Sequence, residues 1–316
     1  MEPVDNDRIS IIAWNWRSGR NLTSGERPIV REVINQTFPR LARALSTDPS
    51  NPQQPDILVV SESLWITPAS FPTAIVACYG QNVRAFKPSK SECLLLFFSQ
   101  RMQYAGRIQL SGPYRDKIFS SVLTTGADRI FVGVWHGPRH PNRRQFQQML
   151  DEIDSLCSAC CWSEAEGGCV QRRGQATIHK GSQFKLRFLA GDFNDELIEE
   201  KFEFAQPQSV LPEMPQQVVS PTRVVRQAVR KSLSHRTSSW QVCDYATNAA
   251  LRSQRKKGRM IDYNLFSAQS TRTCLIQSFA MPYDEGRLQN VLQQRLVRDL
   301  LDHPPVAARF FIDRSA

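Results

Sequence analysis

The sequence has no stretch of about 20 consecutive apolar residues, the length a membrane-spanning helix needs. It opens on MEPVDNDRIS, with two aspartates, a glutamate and no apolar run before Ile11. A secretory leader couples a basic start to an apolar core, so none is read here, and an intracellular protein, cytoplasmic or nuclear, is the expectation. Internal repeats are lacking, as is any clear break in composition. That argues against a repeat array and for one large domain, 1–316. A disulfide framework is not expected either: the 8 cysteines come without a secretion signal and read as thiols. Four lie in CSACCWSEAEGGC, at Cys157, Cys160, Cys161 and Cys169. Cys157, Cys160, Cys169 and His179 would make a four-ligand zinc set, but their spacing matches no zinc pattern, and a loop of thiols is the expectation.

What is present is an apolar fraction of 41% over 316 residues, enough for a sizeable core, and a net charge of +10. The pI is about 9.4. A basic surface favours polyanionic partners, nucleic acid above all, or an anionic membrane surface. The basic side chains concentrate in a segment near 205–258 that includes Arg223, Arg226, Arg230, Lys231, Arg236, Arg252, Arg255, Lys256 and Lys257. This segment and the Cys-rich one near 157–182 read as inserts. The basic one would bind phosphates with salt-sensitive, largely sequence-independent affinity, or serve as a solvated loop or a nuclear address at RSQRKKGR.

Short apolar runs predict strands at RISIIAWNW (8–16), DILVVSE (56–62), ECLLLFFS (92–99), the segment leading into GDFN, RMIDYNLFS (259–267) and PPVAARFFI. KIFSSVLTT and RIFVGVWH, parted by Gly126, Ala127 and Asp128, predict a hairpin. Helical spacing appears from Pro28 to Leu45, with Pro39 placing its last turn in question. It recurs from 141 to 157, where Pro141 reads as the first helical residue, and over 285–303. Loosely alternating strands and helices with hairpins between them argue for an α/β protein with mixed sheets.

Polar groups sit where these strands end. Asn15 ends the first, Glu62 the second, and Glu92 opens the third. His136 ends FVGVWH, Asp192 and Asn194 end FLAGDFN, Asp262 lies in RMIDY, and Asp302 and His303 lie in LDHPPV. A polar residue beside a buried strand is costly unless paired. Taken singly, each has a structural explanation: Asn15 as a turn cap, His136 as a bonded core histidine, and Asp192 and Asn194 as a turn bonding its own backbone. As alternate residues of one strand, Asp192 and Asn194 would also point the same way, side by side.

The order of these residues is distinctive. Asn, Glu, His, Asp-x-Asn, Asp-Tyr and Asp-His-x-x-Val, carried by PDILVVSE, LAGDFN, RMIDYNLFS and LDHPPV, resemble the endonuclease/exonuclease/phosphatase superfamily from Ile11 to about Val306. The likeness is to its deoxyribonuclease I-like branch. WNWRS places Arg17 at a phosphate-contacting position, SECLLLFFS places Glu92 as partner of the first histidine, and YRDKIF places Arg115 at another backbone contact. The chain departs from that pattern at Leu301, where a serine is usual, and in SESLW, which lacks an arginine after Glu62. Arg17 replaces the acid of abasic-site endonucleases, and the inositol phosphatase hallmark is absent before RMIDY.

The resemblance implies a four-layer α/β sandwich: two packed mixed β-sheets flanked by helices. It implies a metal-dependent phosphodiesterase, a DNA endonuclease ahead of an RNA-cleaving enzyme or a phosphatase acting on a phosphoinositide or other small ester. A catalytically inactive nucleic-acid-binding module is a further alternative. Mg²⁺, with Mn²⁺ or Ca²⁺ as substitutes, would be held by Glu62, Asp302 and Asn15. His303 paired with Asp262, His136 paired with Glu92, and Asp192 and Asn194 would do the chemistry, with Asp192 and His303 both open as the general base. Arg17, Arg115 and Asn194 would hold substrate phosphates.

Overall fold

The computed structural model describes residues 7–16, 22–46, 53–64, 67–89, 92–126, 128–138, 142–159, 161–163, 168–170, 184–194, 203–205, 240–243, 262–268, 273–281, 283, 301 and 303–312. In chain order the strands are β1 (Arg8–Asn15), β2 (Ile57–Ser61), β3 (Val83–Ser89), β4 (Glu92–Phe98), β5 (Gln103–Arg107), β6 (Ile118–Thr125) and β7 (Asp128–His136). They continue as β8 (Cys161–Ser163), β9 (Gly168–Val170), β10 (Phe184–Asp192), β11 (Glu203–Ala205), β12 (Gln241–Cys243), β13 (Asp262–Ala268), β14 (Thr273–Ala280) and β15 (Val306–Ile312). The α-helices are α1 (Glu26–Leu45), α2 (Thr73–Tyr79) and α3 (Arg143–Ala159).

Among the described residues the strands form two mixed sheets, a six-stranded one in the order β14-β15-β1-β2-β4-β3 and a nine-stranded one in the order β11-β12-β13-β10-β7-β6-β5-β9-β8. Alternation along each strand divides the apolar residues between two cores. Ile11, Ala13, Val59 and Leu96 of the first sheet meet Val132, Val134, Phe188 and Leu265 of the second. On its other face the first sheet sends Ile12, Trp14, Leu58 and Val60 against Val30, Ile34, Phe38 and Leu41 of α1. The second sheet turns Trp135 outward to Phe146 of α3, ring centroids 5.6 Å apart. The order is thus helix, sheet, sheet, helix: the four-layer α/β sandwich.

Local sequence explains most elements and misplaces a few. α1 runs through Pro39 to Leu45. The lost backbone bond is offset by burial of Phe38, Leu41 and Leu45, which hold the last turn on the sheet. α3 starts at Arg143, not at Pro141, because Asn142 Oδ1 accepts from the N–H groups of Arg144 and Gln145, a side-chain N-cap. The 118–136 hairpin forms with Ile118 opposite Trp135 and Thr125 opposite Asp128. Strands β3, β5, β11, β12 and β14 and helix α2 carry no sequence expectation, and the stretch expected as a Cys-rich loop contains the paired strands β8 and β9. β3, VRAFKPS, alternates between half-buried and exposed residues and contains a proline, which is tolerated at the edge of its sheet. The helix expected over 285–303 and the basic segment near 205–258 lie almost wholly outside the described residues. Of the zinc candidates only the Cys157 side chain is described: it lies in α3 and not in a loop, and burial in the core pushes its thiol up to about 12.

Candidate active site

Chain direction gathers the polar groups. β1 and β2 run parallel, as do β7 and β10, while β4, β13 and β15 run against their neighbours. The ends of β1, β2, β7 and β10 therefore meet the starts of β4, β13 and β15 at one edge of the sandwich. Register does the rest. His136 lies opposite Asp192, and Asp192 lies opposite Asp262, so these three share one row and one face across β7, β10 and β13. That face looks toward the first sheet, which supplies Asn15, Glu92, Glu62 just past β2, and His303 just before β15.

Two histidine–carboxylate pairs form. His136 Nδ1 lies 2.7 Å from Glu92 Oε1 and its Nε2 3.0 Å from Glu62 Oε1. His303 Nδ1 lies 2.7 Å from Asp262 Oδ2 and 3.8 Å from Asp192 Oδ2. Asp192 belongs to both groups: Glu62, His136 and Asp192 offer ligand atoms within 4.8 Å of one another, and so do Asp192, Asp262 and His303. Asn15 Nδ2 donates to Asp192 Oδ2 at 2.8 Å, and the Asn194 N–H donates to Oδ1 at 2.7 Å.

Asn194 corrects the expectation of two side chains side by side. β10 ends at Asp192, and the chain turns, with Asn194 at φ 52°. Its Nδ2 donates to the Gly137 carbonyl at 2.8 Å. Among the described residues the other non-glycine residue with positive φ is Glu62, at 53°. Asparagine tolerates this conformation, whereas glutamate is strained in it by about 1 kcal/mol or more. Both backbone exceptions thus fall in this one cluster. Gly191 is required by close approach as well as by its φ of 137°: a Cβ there would lie 2.1 Å from the Trp135 carbonyl oxygen.

Electrostatics follow from burial and pairing. Burial opposes a proton on His136, but hydrogen bonds to Glu62 and Glu92 outweigh it and raise the pKa to about 10. Burial likewise opposes ionisation of Glu92, and the bonds from His136 and Lys117 overcome it and lower its pKa. Asp192 is raised, first by burial and then by the neighbouring Asp262 carboxylate, against the pull of His303, His136 and the Asn194 N–H. The carboxylates of Glu62, Asp192 and Asp262 supply hard oxygen donors of the kind that divalent cations prefer, Glu62 and Asp192 beside His136 and Asp192 and Asp262 beside His303. Asp262 Oδ1 is buried and has no hydrogen-bond partner among the described residues. Acid crowding that holds Asp192 up, together with an orphaned carboxylate oxygen, is the environment a cation relieves, so the donor set fits a divalent ion.

The structure therefore brings together Asn15, Glu62, Glu92, His136, Asp192, Asn194, Asp262 and His303. Arg17 and Asp302 lie outside the described residues. Arg115 is exposed, its Nε 3.7 Å from Asp116. Sequence reasoning missed Lys117, whose Nζ lies 2.9 Å from Glu92 Oε2. Its signal was the hairpin register, which puts residue 117 opposite 136; the Lys117 carbonyl accepts the His136 N–H at 3.1 Å. It also missed Tyr283, whose hydroxyl donates to the His303 carbonyl at 2.6 Å and accepts from Trp14 Nε1 at 2.8 Å. No local pattern marks that residue.

No family model matches the sequence, and no curated protein does. Solved structures do resemble the chain distantly. A truncated Caenorhabditis elegans TDP2 is 12% identical, with 96% of this chain and 98% of that one covered and a TM-score of 0.49. The human nocturnin catalytic domain with bound sulfate is 14% identical, with 97% and 95% covered and a TM-score of 0.49. ANGEL2, described as a 2′,3′-cyclic phosphatase, is 15% identical, with 96% and 95% covered and a TM-score of 0.49. Likeness at this distance assigns no activity. The chain itself is a two-sheet sandwich whose polar strand ends meet at one edge.

Proposed function

We propose that this chain, acting as one catalytic domain with two inserts, is a Mg²⁺-dependent phosphodiesterase that hydrolyses a nucleic-acid backbone, DNA ahead of RNA. The observation that carries the reading is the pairing of two histidines with separate carboxylates on either side of a shared buried aspartate, Asp192. Phosphodiester hydrolysis needs an oriented water, a proton acceptor, and charge stabilisation at the phosphoryl and leaving oxygens. The residues fit those roles. Asp262 holds the Nδ1 side of His303, which fixes the ring and makes Nε2 the atom that takes a proton from water. Without metal His136 is clamped by Glu92 and Glu62, which raise its pKa to about 10. With Glu62 turned to the Mg²⁺, its Nε2 would be released to donate to a phosphoryl or leaving oxygen. Asp192, held by Asn15 and the Asn194 amide, orients the water. Glu62, with Asn15 and Asp302, would hold the Mg²⁺, which supplies charge neutralisation at the phosphoryl group. Arg17, Arg115 and Asn194 would contact flanking phosphates.

Nucleic acid is favoured by the net charge of +10 and by the basic segment near 205–258. The test is nicking of supercoiled plasmid by purified protein with Mg²⁺, with and without EDTA, beside His303→Ala. Relaxation by the wild type with metal, reduced about 10²- to 10⁴-fold in the variant, is the expected result. Equal nicking by His303→Ala would refute the assignment. Intact plasmid together with hydrolysis of a small phosphate ester would replace the nucleic-acid reading with a phosphatase.

A further inference from the structure

Resting on that reading, we propose a second phosphate-contacting strip, built from Arg107 and Arg84, that leads a single nucleic-acid strand away from the catalytic edge along the side of the sandwich where β3 faces β5. The strip begins at Lys117, bonded to Glu92. β4 carries Glu92, Leu94 and Leu96 on its inner face, and β3 sets Phe86 opposite Leu94 and Arg84 opposite Leu96. Across the gap, Lys117 just precedes β6, which carries Phe119 and Ser121 on one face, with Arg107 of β5 opposite Ser121. Each step of two residues advances about 7 Å along a strand. Arg107, opposite Ser121, and Arg84, opposite Leu96, thus both lie two steps in from Lys117 and Glu92 at the catalytic edge.

Among the described residues, aromatic rings and not acids hold the two arginines. Arg107 Cζ lies 4.0 Å from the centroid of Phe86 and 5.9 Å from that of Phe119. Arg84 Cζ lies 4.9 Å from Tyr104 and 5.8 Å from Phe98. The rings stack in pairs across the gap: Phe86 on Phe119 at 5.6 Å and Phe98 on Tyr104 at 6.4 Å. Arg101, by contrast, pairs with Asp56 and Arg187 with Asp154. Among the described residues neither Arg84 nor Arg107 has a carboxylate partner; Arg84 is exposed on a strand at the edge of its sheet, and Arg107 is half-buried with its Nε lacking a hydrogen-bond partner. A guanidinium fixed on a ring face keeps its donors in a rigid plane that matches a phosphate. The ring faces are already covered by the guanidinium groups and by each other, so the strip reads phosphates and does not stack bases.

The test measures binding of a single-stranded oligothymidylate in EDTA across a salt series. Proteins compared are the wild type, Arg84→Gln, Arg107→Gln, the double variant, Arg84→Lys, and Arg43→Gln at the far end of α1 as a control for net charge. The slope of log affinity against log salt should fall by about 0.7 for each strip arginine removed, stay unchanged in Arg43→Gln, and be retained in Arg84→Lys. Melting curves that match the wild type exclude a folding defect, and either single glutamine variant answers the question if the double variant does not fold. A double variant with the slope of Arg43→Gln overturns the strip. Hydrolysis of a small phosphodiester by the same proteins separates the two readings. If cleavage persists while the slope is indifferent to both arginines, the strip fails and the phosphodiesterase stands. If no ester is cleaved with any divalent metal, the catalytic reading fails, and the salt series still decides the strip.

Discussion

The metal-free protein should lose stability as pH rises from 7 to 8.5, with His136 as a main cause. The group is held in the fold by Glu92 at 2.7 Å and Glu62 at 3.0 Å, and its folded pKa is about 10. In the unfolded chain it reverts to about 6.5. A folded pKa above the unfolded one stabilises fully below the unfolded value, and that stabilisation is lost as pH rises through the folded value. Between pH 7 and 8.5 the folded histidine keeps its proton while the unfolded one releases it, which costs about 2 kcal/mol over this window. The upper limit matters, because the half-buried thiol of Cys78 and the buried one of Cys157, both raised to about 12, begin to add a slope of the same sign once unfolded thiols ionise. The assay is urea unfolding in EDTA at both pH values, for the wild type and His136→Gln. The wild type should lose about 2 kcal/mol more than the variant across the window. Equal losses would refute the account of His136 as a cation clamped between two carboxylates.

Two further outcomes follow from the same geometry. Gly191→Ala places a methyl 2.1 Å from the Trp135 carbonyl at a φ of 137°; it should cost more than about 3 kcal/mol, seen as loss of soluble protein or a melting temperature lowered by several degrees. Tyr283→Phe removes the hydroxyl that links Trp14 Nε1 to the His303 carbonyl; it should destabilise by about 1–3 kcal/mol and lower kcat with little change in KM, since it frees the loop that carries the proposed base. A Tyr283→Phe enzyme with unchanged kcat would confine that residue to packing.

The sequence by itself determined the class of fold and most of the site. Uninterrupted apolar runs such as ILVVS and CLLLFF can only be buried strands, and a polar group at the end of each is expensive unless it meets a partner, so Asn15, Glu62, Glu92, His136, Asp192 and Asp262 stood out in one dimension. The helical spacing in α1 and α3 was equally plain, because a buried stripe must recur every three or four residues. Local reasoning failed where exposure blurs the pattern. β3 lies at a sheet edge, half its residues face water, and nothing forces alternation of apolar side chains there. It also failed at Asn194, where a turn took over from the strand period.

Only the tertiary structure decided which polar ends meet. The parallel pairing of β7 with β10 and the antiparallel pairing of β10 with β13 put His136, Asp192 and Asp262 in one row. Packing of the second sheet on the first then delivered Glu92 to one histidine and Asp262 to the other. Lys117 and Tyr283 entered the site by the same route, across 25 residues from Glu92 and 20 from His303. Such contacts depend on strand order and register between segments distant in the chain, and those are set by the burial of whole sheets, not by any short run of residues.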